Sequence, residues 1–146
     1  MIQHELSREI MKPIGEVFDF IDDTSKAPLW LESCVEITQV SKEPKSTGTK
    51  LHYVYYQGGR NREMDGIITE YTRGNLLTMK FSDSQFEVQI GFRLTPIPGG
   101  TLVAHSIAIA SKGIFGKMMT RIIGAGNQKQ IQSNLARLQD QLAKSI

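Results

Sequence analysis

The sequence predicts an α+β domain in which a curved, seven-stranded antiparallel sheet grips one long C-terminal helix, with two short helices between strands 1 and 2. Three observations predict it. Residues 34–110 alternate apolar and polar side chains in segments of strand length, separated by glycine- or proline-bearing turns. From about Lys112 to Ile146 no proline occurs, and apolar residues return at helical spacing: Ile114, Met118, Ile122, Ile131, Leu135, Leu138 and Leu142. Every sheet connection after residue 34 is of hairpin length, which makes neighbouring strands antiparallel, and a sheet this wide coils rather than lying flat.

Taken in order, Ile2, His4, Leu6 and Ile10 sit at even spacing, as in an opening strand. Lys12-Pro13 ends it, and Pro13 suits the first turn of a helix whose apolar face is Val17, Phe18, Phe20 and Ile21. Asp22-Asp23-Thr24-Ser25 closes that helix and caps a second, from Ala27 to Leu31, which Pro28 keeps short. Cys34 to Val40 resumes strand alternation, and Lys45-Ser46-Thr47-Gly48 turns the chain. Thr49–Gln57 and Arg62–Tyr71 flank a Gly58-Gly59-Arg60-Asn61 reversal, and Gly66 in mid-strand predicts a bulge or sharp bend. Leu76–Phe81 follows a turn at Arg73-Gly74-Asn75. After Ser82-Asp83-Ser84, Phe86, Val88, Ile90, Phe92 and Leu94 alternate with Glu87, Gln89, Gly91 and Arg93, the pattern of a strand with one buried and one wet face. Pro96–Gly100 reverses the chain into Thr101–Ala110, with Val103, His105, Ile107 and Ile109 on one face. In the terminal helix, Gly113, Gly116, Gly124 and Gly126 each lower helix stability by about 1 kcal/mol relative to alanine at interior positions. The expectation is a glycine-loosened, movable segment from Lys112 to Gly126, joined to a firm anchor from Lys129 to Lys144.

At 146 residues the chain reads as one domain, residues 1–146. A net charge of +2 gives no basis for nucleic-acid binding. The charge is unevenly spread, with Lys112, Lys117, Arg121, Lys129, Arg137 and Lys144 against Asp140 alone in the terminal helix. Three of those cations beside Ile114 and Phe115 leave open a peripheral contact with an anionic membrane. Cys34, the one cysteine, excludes an intramolecular disulfide and points to a reducing compartment. No signal peptide is visible, and no segment approaches the ~20 apolar residues that span a bilayer, so the expected location is the cytoplasm.

The segment Pro13-Ile14-Gly15-Glu16-Val17-Phe18-Asp19-Phe20-Ile21-Asp22-Asp23, then Trp30, Gly48-Thr49, Gly66-Ile67-Ile68-Thr69-Glu70 and Gly100-Thr101-Leu102-Val103, resembles the polyketide cyclase/dehydrase-like branch of the SRPBCC or START-like superfamily, related to the birch-pollen allergens. The resemblance covers nearly the whole chain. It implies a helix-grip fold with an internal, mostly apolar cavity between sheet and helix. Members of that superfamily include lipid and sterol carriers, hormone receptors, aromatic polyketide cyclases, coenzyme Q-binding proteins and partners of chaperones or ribosomes, so the fold alone does not choose a function.

The chain shows no catalytic constellation. His4, His52 and His105 lie on separate strands without metal-ligand spacing, no G-x-S-x-G or phosphate-binding loop occurs, and no cofactor or metal is implied. Carboxylates Asp22-Asp23, Glu63, Asp65 and Glu70 read as caps or solvated groups, and Arg60, Arg62 and Arg93 as solvated on the outer face, with Arg60 at a hairpin tip able to meet an anionic ligand. His105 is the exception: sharing a face with Val103 and Ile107, it either bonds within the core or orients a ligand's polar group. Tyr53 and Tyr55 share one face, and buried tyrosine hydroxyls require partners. The expected activity is binding or transport of a hydrophobic small molecule (lipid, isoprenoid or polyketide-like) by Trp30, Tyr53, Tyr55, Phe86, Val88, Ile90, Phe92, His105, Ile107, Met118 and Ile122. The alternatives are a polyketide cyclase or aromatase relying on His105 and a tyrosine, and a protein- or membrane-interaction module.

Overall fold

The computed structural model describes residues 2–112 and 116–144, with side chains for residues 3–112 and 127–144. Strand β1 (Ile2–Ile10) is followed by helix α1 (Ile14–Asp22), a 3-10 turn (Thr24–Lys26) and a one-turn helix α2 (Ala27–Trp30). Then come β2 (Cys34–Gln39), β3 (Lys50–Gln57), β4 (Arg60–Thr72), β5 (Leu76–Ser82), β6 (Phe86–Ile97), β7 (Gly100–Ser111) and α3 (Gly116–Lys144). The seven strands form one antiparallel sheet in the order β1-β7-β6-β5-β4-β3-β2. The predicted fold class is therefore observed.

Local chemistry explains most boundaries. Gly58 and Gly59, both at positive φ, close a two-residue hairpin, so β4 begins at Arg60 rather than at Arg62. Asp23 accepts hydrogen bonds from the backbone N–H and the hydroxyl of Ser25 (3.1 and 2.6 Å), which starts the 3-10 turn. Its neighbour Asp22 is not a cap. Lys45 Nζ donates to its carboxylate (3.1 Å) and its carbonyl, and Tyr71 Oη donates to Oδ2 (3.0 Å), tying the end of α1 to the sheet.

Gly66 departs from expectation. It pairs in register with Leu51 and Phe81, and the irregularity in β4 falls two residues later, between Ile68 and Glu70. Glycine is needed there because the Phe81 ring lies across it: a Cβ would sit 2.2 Å from Cδ1 and 2.5 Å from Cε1. Phe81 is fully buried and packs on Tyr53 (5.0 Å between centroids), so the ring has nowhere to retreat. Gly66→Ala is expected to lower stability by about 1–3 kcal/mol, the range for overpacked cores, as read by urea unfolding. An unchanged midpoint would show that the ring can move.

The inward face of the sheet carries Ile10, Leu51, Tyr53, Met64, Ile68, Leu77, Met79, Phe81, Ile90, Phe92, Leu94, Val103 and Ile107, all buried. α3 crosses this face over β1 and β7 and touches α2. Its buried stripe is Asn127, Ile131, Asn134, Leu135, Leu138 and Leu142, a spacing of three and four that keeps one helix face on the core. This is the predicted anchor. The helix backbone continues through Gly124 and Gly126. The predicted movable wall, with Met118 and Ile122, concerns side chains outside the described residues.

Candidate functional site

All nine predicted wall residues with described side chains project from the inward face or from α2 beneath it, and the structure divides them into two groups. The first is closed. Trp30 packs edge-on against Phe92 (5.2 Å, 68°), and Phe92 stacks on His105 (4.3 Å, 13°). Ile90 and Ile107, paired in register across β6 and β7, are buried beside them.

His105 completes this packed group and corrects the expectation of a polar anchor for ligand. It is fully buried, and both ring nitrogens have protein partners. Nδ1–H donates to the Gly91 carbonyl (3.0 Å), which leaves Nε2 to accept from Asn134 Nδ2 (3.0 Å). Asn134 Oδ1 in turn accepts the Glu32 N–H (2.8 Å), so one chain of hydrogen bonds joins the sheet, α3 and the segment between α2 and β2. Burial pushes the imidazole down to about 4, outweighing the opposing effect of the Gly91 carbonyl. A neutral ring with no free nitrogen cannot serve as the acid–base group that the cyclase alternative required of it.

The second group is half-buried and lies at one end of the sheet, where β3 turns into β4, β5 turns into β6 and β7 finishes. Tyr55, Phe86 and Val88 pack against the core from this end. Tyr53 and Tyr55 stack (5.3 Å, 14°), with Tyr53 the buried member. Burial raises the hydroxyls of both tyrosines above the usual phenol value. Register places Cys34 and Arg62 on either side of Tyr55. Burial pushes the Cys34 thiol up to about 12, which makes it a poor nucleophile.

Arg62 is a second correction. The sequence reading places it on the solvated outer face, yet it shares the parity of buried Met64 and turns inward. Its Nε is buried and, among the described residues, has no hydrogen-bond partner. That parity is visible in the sequence and is the signal to use. Asn127 and Asn134 are absent from the sequence-based site. Asn127 Nδ2 donates to the Ile107 carbonyl (3.1 Å), while its buried Oδ1 has no partner among the described residues. Two asparagines on an otherwise apolar helical stripe are the signal there.

Elsewhere, a cavity with about 10 Å³ of room lies between the α1–α2 segment and β2–β5, bordered by Ile21, Ala27, Trp30, Leu51, Ile68 and Met79. That is space for about one water. A larger groove, about 480 Å³, is open on the outer face between Val40, Lys50, Asp65, Ile67 and Lys80. His52 lies on the same outer face, between Asp65 (3.2 Å) and Glu63 (3.3 Å). Among the described residues no three His, Cys, Asp or Glu side chains converge as metal ligands.

The fold is shared with known proteins. The family model described as polyketide cyclase / dehydrase and lipid transport matches residues 1–143. The chain belongs to that family. Its fold is similar to that of TTHA0849 from Thermus thermophilus (18% identity, TM-score 0.79, 99% of each chain covered). It is similar also to Ara h 8.0201 (13% identity, TM-score 0.71, 98% of each chain). A third likeness is to the di-domain ARO/CYC StfQ of the steffimycin biosynthetic pathway, at 9% identity and TM-score 0.75. There 95% of this chain aligns with 50% of the other, as one domain against two. These identities establish the fold alone, and the comparison with curated proteins finds no match. Among the described residues, no helix is long and apolar enough to cross a membrane.

Proposed function

We propose that the protein binds or carries a hydrophobic small molecule (a lipid, an isoprenoid or a polyketide-like compound) between the sheet and α3. The observation that carries this reading is the cluster of Tyr55, Phe86 and Val88, apolar or aromatic, inward-facing and left half-buried together at one end of the sheet beside the closed core. Apolar surface in that position gains roughly 25 cal/mol per Å² when a ligand removes it from water. Met118 and Ile122 belong to the same proposed wall, and Trp30, Phe92, His105 and Ile107 form its packed floor. Membership in a family described by lipid transport supports the reading. A cyclase activity is the weaker reading, because His105 has no free nitrogen.

The test is titration with the neutral fluorophore Nile red, together with native mass spectrometry of freshly purified protein. The parent is expected to bind the dye at micromolar concentration. Val88→Trp, which fills the half-buried end, should weaken binding at least about tenfold, which is 1.4 kcal/mol, while leaving the melting temperature near the parent's. Dye affinity equal in parent and variant would place the site elsewhere. Absence of dye binding by the parent would remove the proposal.

A further inference from the structure

The half-buried end contains a charge that the apolar reading does not explain. Arg62 projects from the inward face of β4, across from Tyr55 and two residues from buried Met64. Its guanidinium lies against the β3–β4 turn, with Nη2 4.0 Å from the point a Cβ on Gly58 would occupy. Among the described residues no carboxylate lies within ion-pair distance of it. Asp83, which follows β5 on the β4 side of Tyr55, accepts the backbone N–H groups of Gln85 and Phe86 at Oδ1 (2.7 Å each) and forms no ion pair with Arg62. Burying Nε without a partner is unfavourable, and a guanidinium is the side chain best shaped to take two oxygens of an anion. An unpaired cation beside half-buried Tyr55, Phe86 and Val88 defines an amphipathic site, not a purely apolar one.

We propose that Arg62 receives the anionic head group, a carboxylate or a phosphate, of an otherwise apolar ligand whose chain lies along Tyr55, Phe86 and Val88. The proposal rests on the reading of the interior as a binding site, and its test separates the two. Decanoate, decyl phosphate and decanol, each below its micelle concentration, compete with Nile red on the parent, Arg62→Gln and Arg62→Lys proteins. The parent should prefer at least one anion over decanol by about tenfold, and added salt should reduce that preference. Which anion is preferred identifies the head group. Arg62→Gln should abolish the preference while keeping decanol affinity, and Arg62→Lys should retain part of it, which excludes misfolding as the cause. A preference unchanged in Arg62→Gln, or no preference in a parent that binds decanol and Nile red, overturns the role of Arg62 alone. A parent that binds neither Nile red nor decanol overturns the interior site and this role with it.

Discussion

Trp30→Ala is expected to lower the unfolding free energy by about 3–5 kcal/mol, the range for removing a large aromatic side chain from a core. Trp30 is only 1% exposed, and it occupies the point where α2, β6 and the floor of the interior meet. Its removal deletes the edge-on contact with Phe92 and opens a cavity that merges with the small one already bordering it. The backbone there cannot easily collapse to fill the space. The Leu31 N–H is bonded to the Ala27 carbonyl and the Glu32 N–H to Asn134, so both sides of the segment are held. Trp30→Phe should be much milder. It keeps a ring against Phe92 and removes a buried indole N–H that has no partner among the described residues, a group whose burial is itself unfavourable by about 1–3 kcal/mol. Urea unfolding of the three proteins decides. Equal losses for alanine and phenylalanine would mean that the indole N–H contributes to stability, which the structure contradicts.

What is readable in the sequence, and what is not, follows from the range of the interactions. Ile90, Phe92 and Leu94 declare a strand face because alternation is a local property of the pleat, and Ile131, Leu135, Leu138 and Leu142 declare a helix face for the same reason. Together with the hairpin spacings these give seven strands and one long helix without any knowledge of contacts. Gly66 shows the limit. Its presence is evident, but its cause is a Phe81 ring from the neighbouring strand, and a bulge is the natural local guess. His105 shows it more sharply. Its face is correctly placed, while its role depends on Asn134, 29 residues away, and on a carbonyl of β6. Nothing at position 105 distinguishes a histidine waiting for ligand from one already satisfied. The informative residue is Asn134, a polar side chain in the middle of a buried apolar stripe, where burial demands a partner. Arg62 is the reverse case: strict alternation from Met64 points it inward, and the general tendency of arginine to be solvated hides that.

The buried neutrality of His105 makes stability depend on pH in a defined window. An unfolded chain protonates this histidine around its ordinary value of 6.5, whereas the folded protein resists until about 4. Between those values the unfolded state binds more protons, so stability rises with pH. The contribution is complete above about pH 6.5 and is lost as pH falls toward 4. At 1.36 kcal/mol per unit the difference amounts to ~3 kcal/mol, large against the stability of a domain this size. Protonation would place a proton on Nε2, which already accepts from Asn134, and would put a charge in the core where, among the described residues, no carboxylate pairs with it. His52 acts with the opposite sign. Asp65 and Glu63 raise its value, so what it contributes is present below about 6.5 and fades as pH rises; on an exposed surface this is largely screened. Measuring both proteins in a His52→Gln background removes that effect. In that background the parent should lose stability steeply between pH 6.5 and 4.5, and His105→Gln, less stable at pH 7, should show a flatter profile across the same range. Parallel profiles would mean that folded His105 protonates as readily as the unfolded chain, and the closed floor of the interior would then have to be open to water.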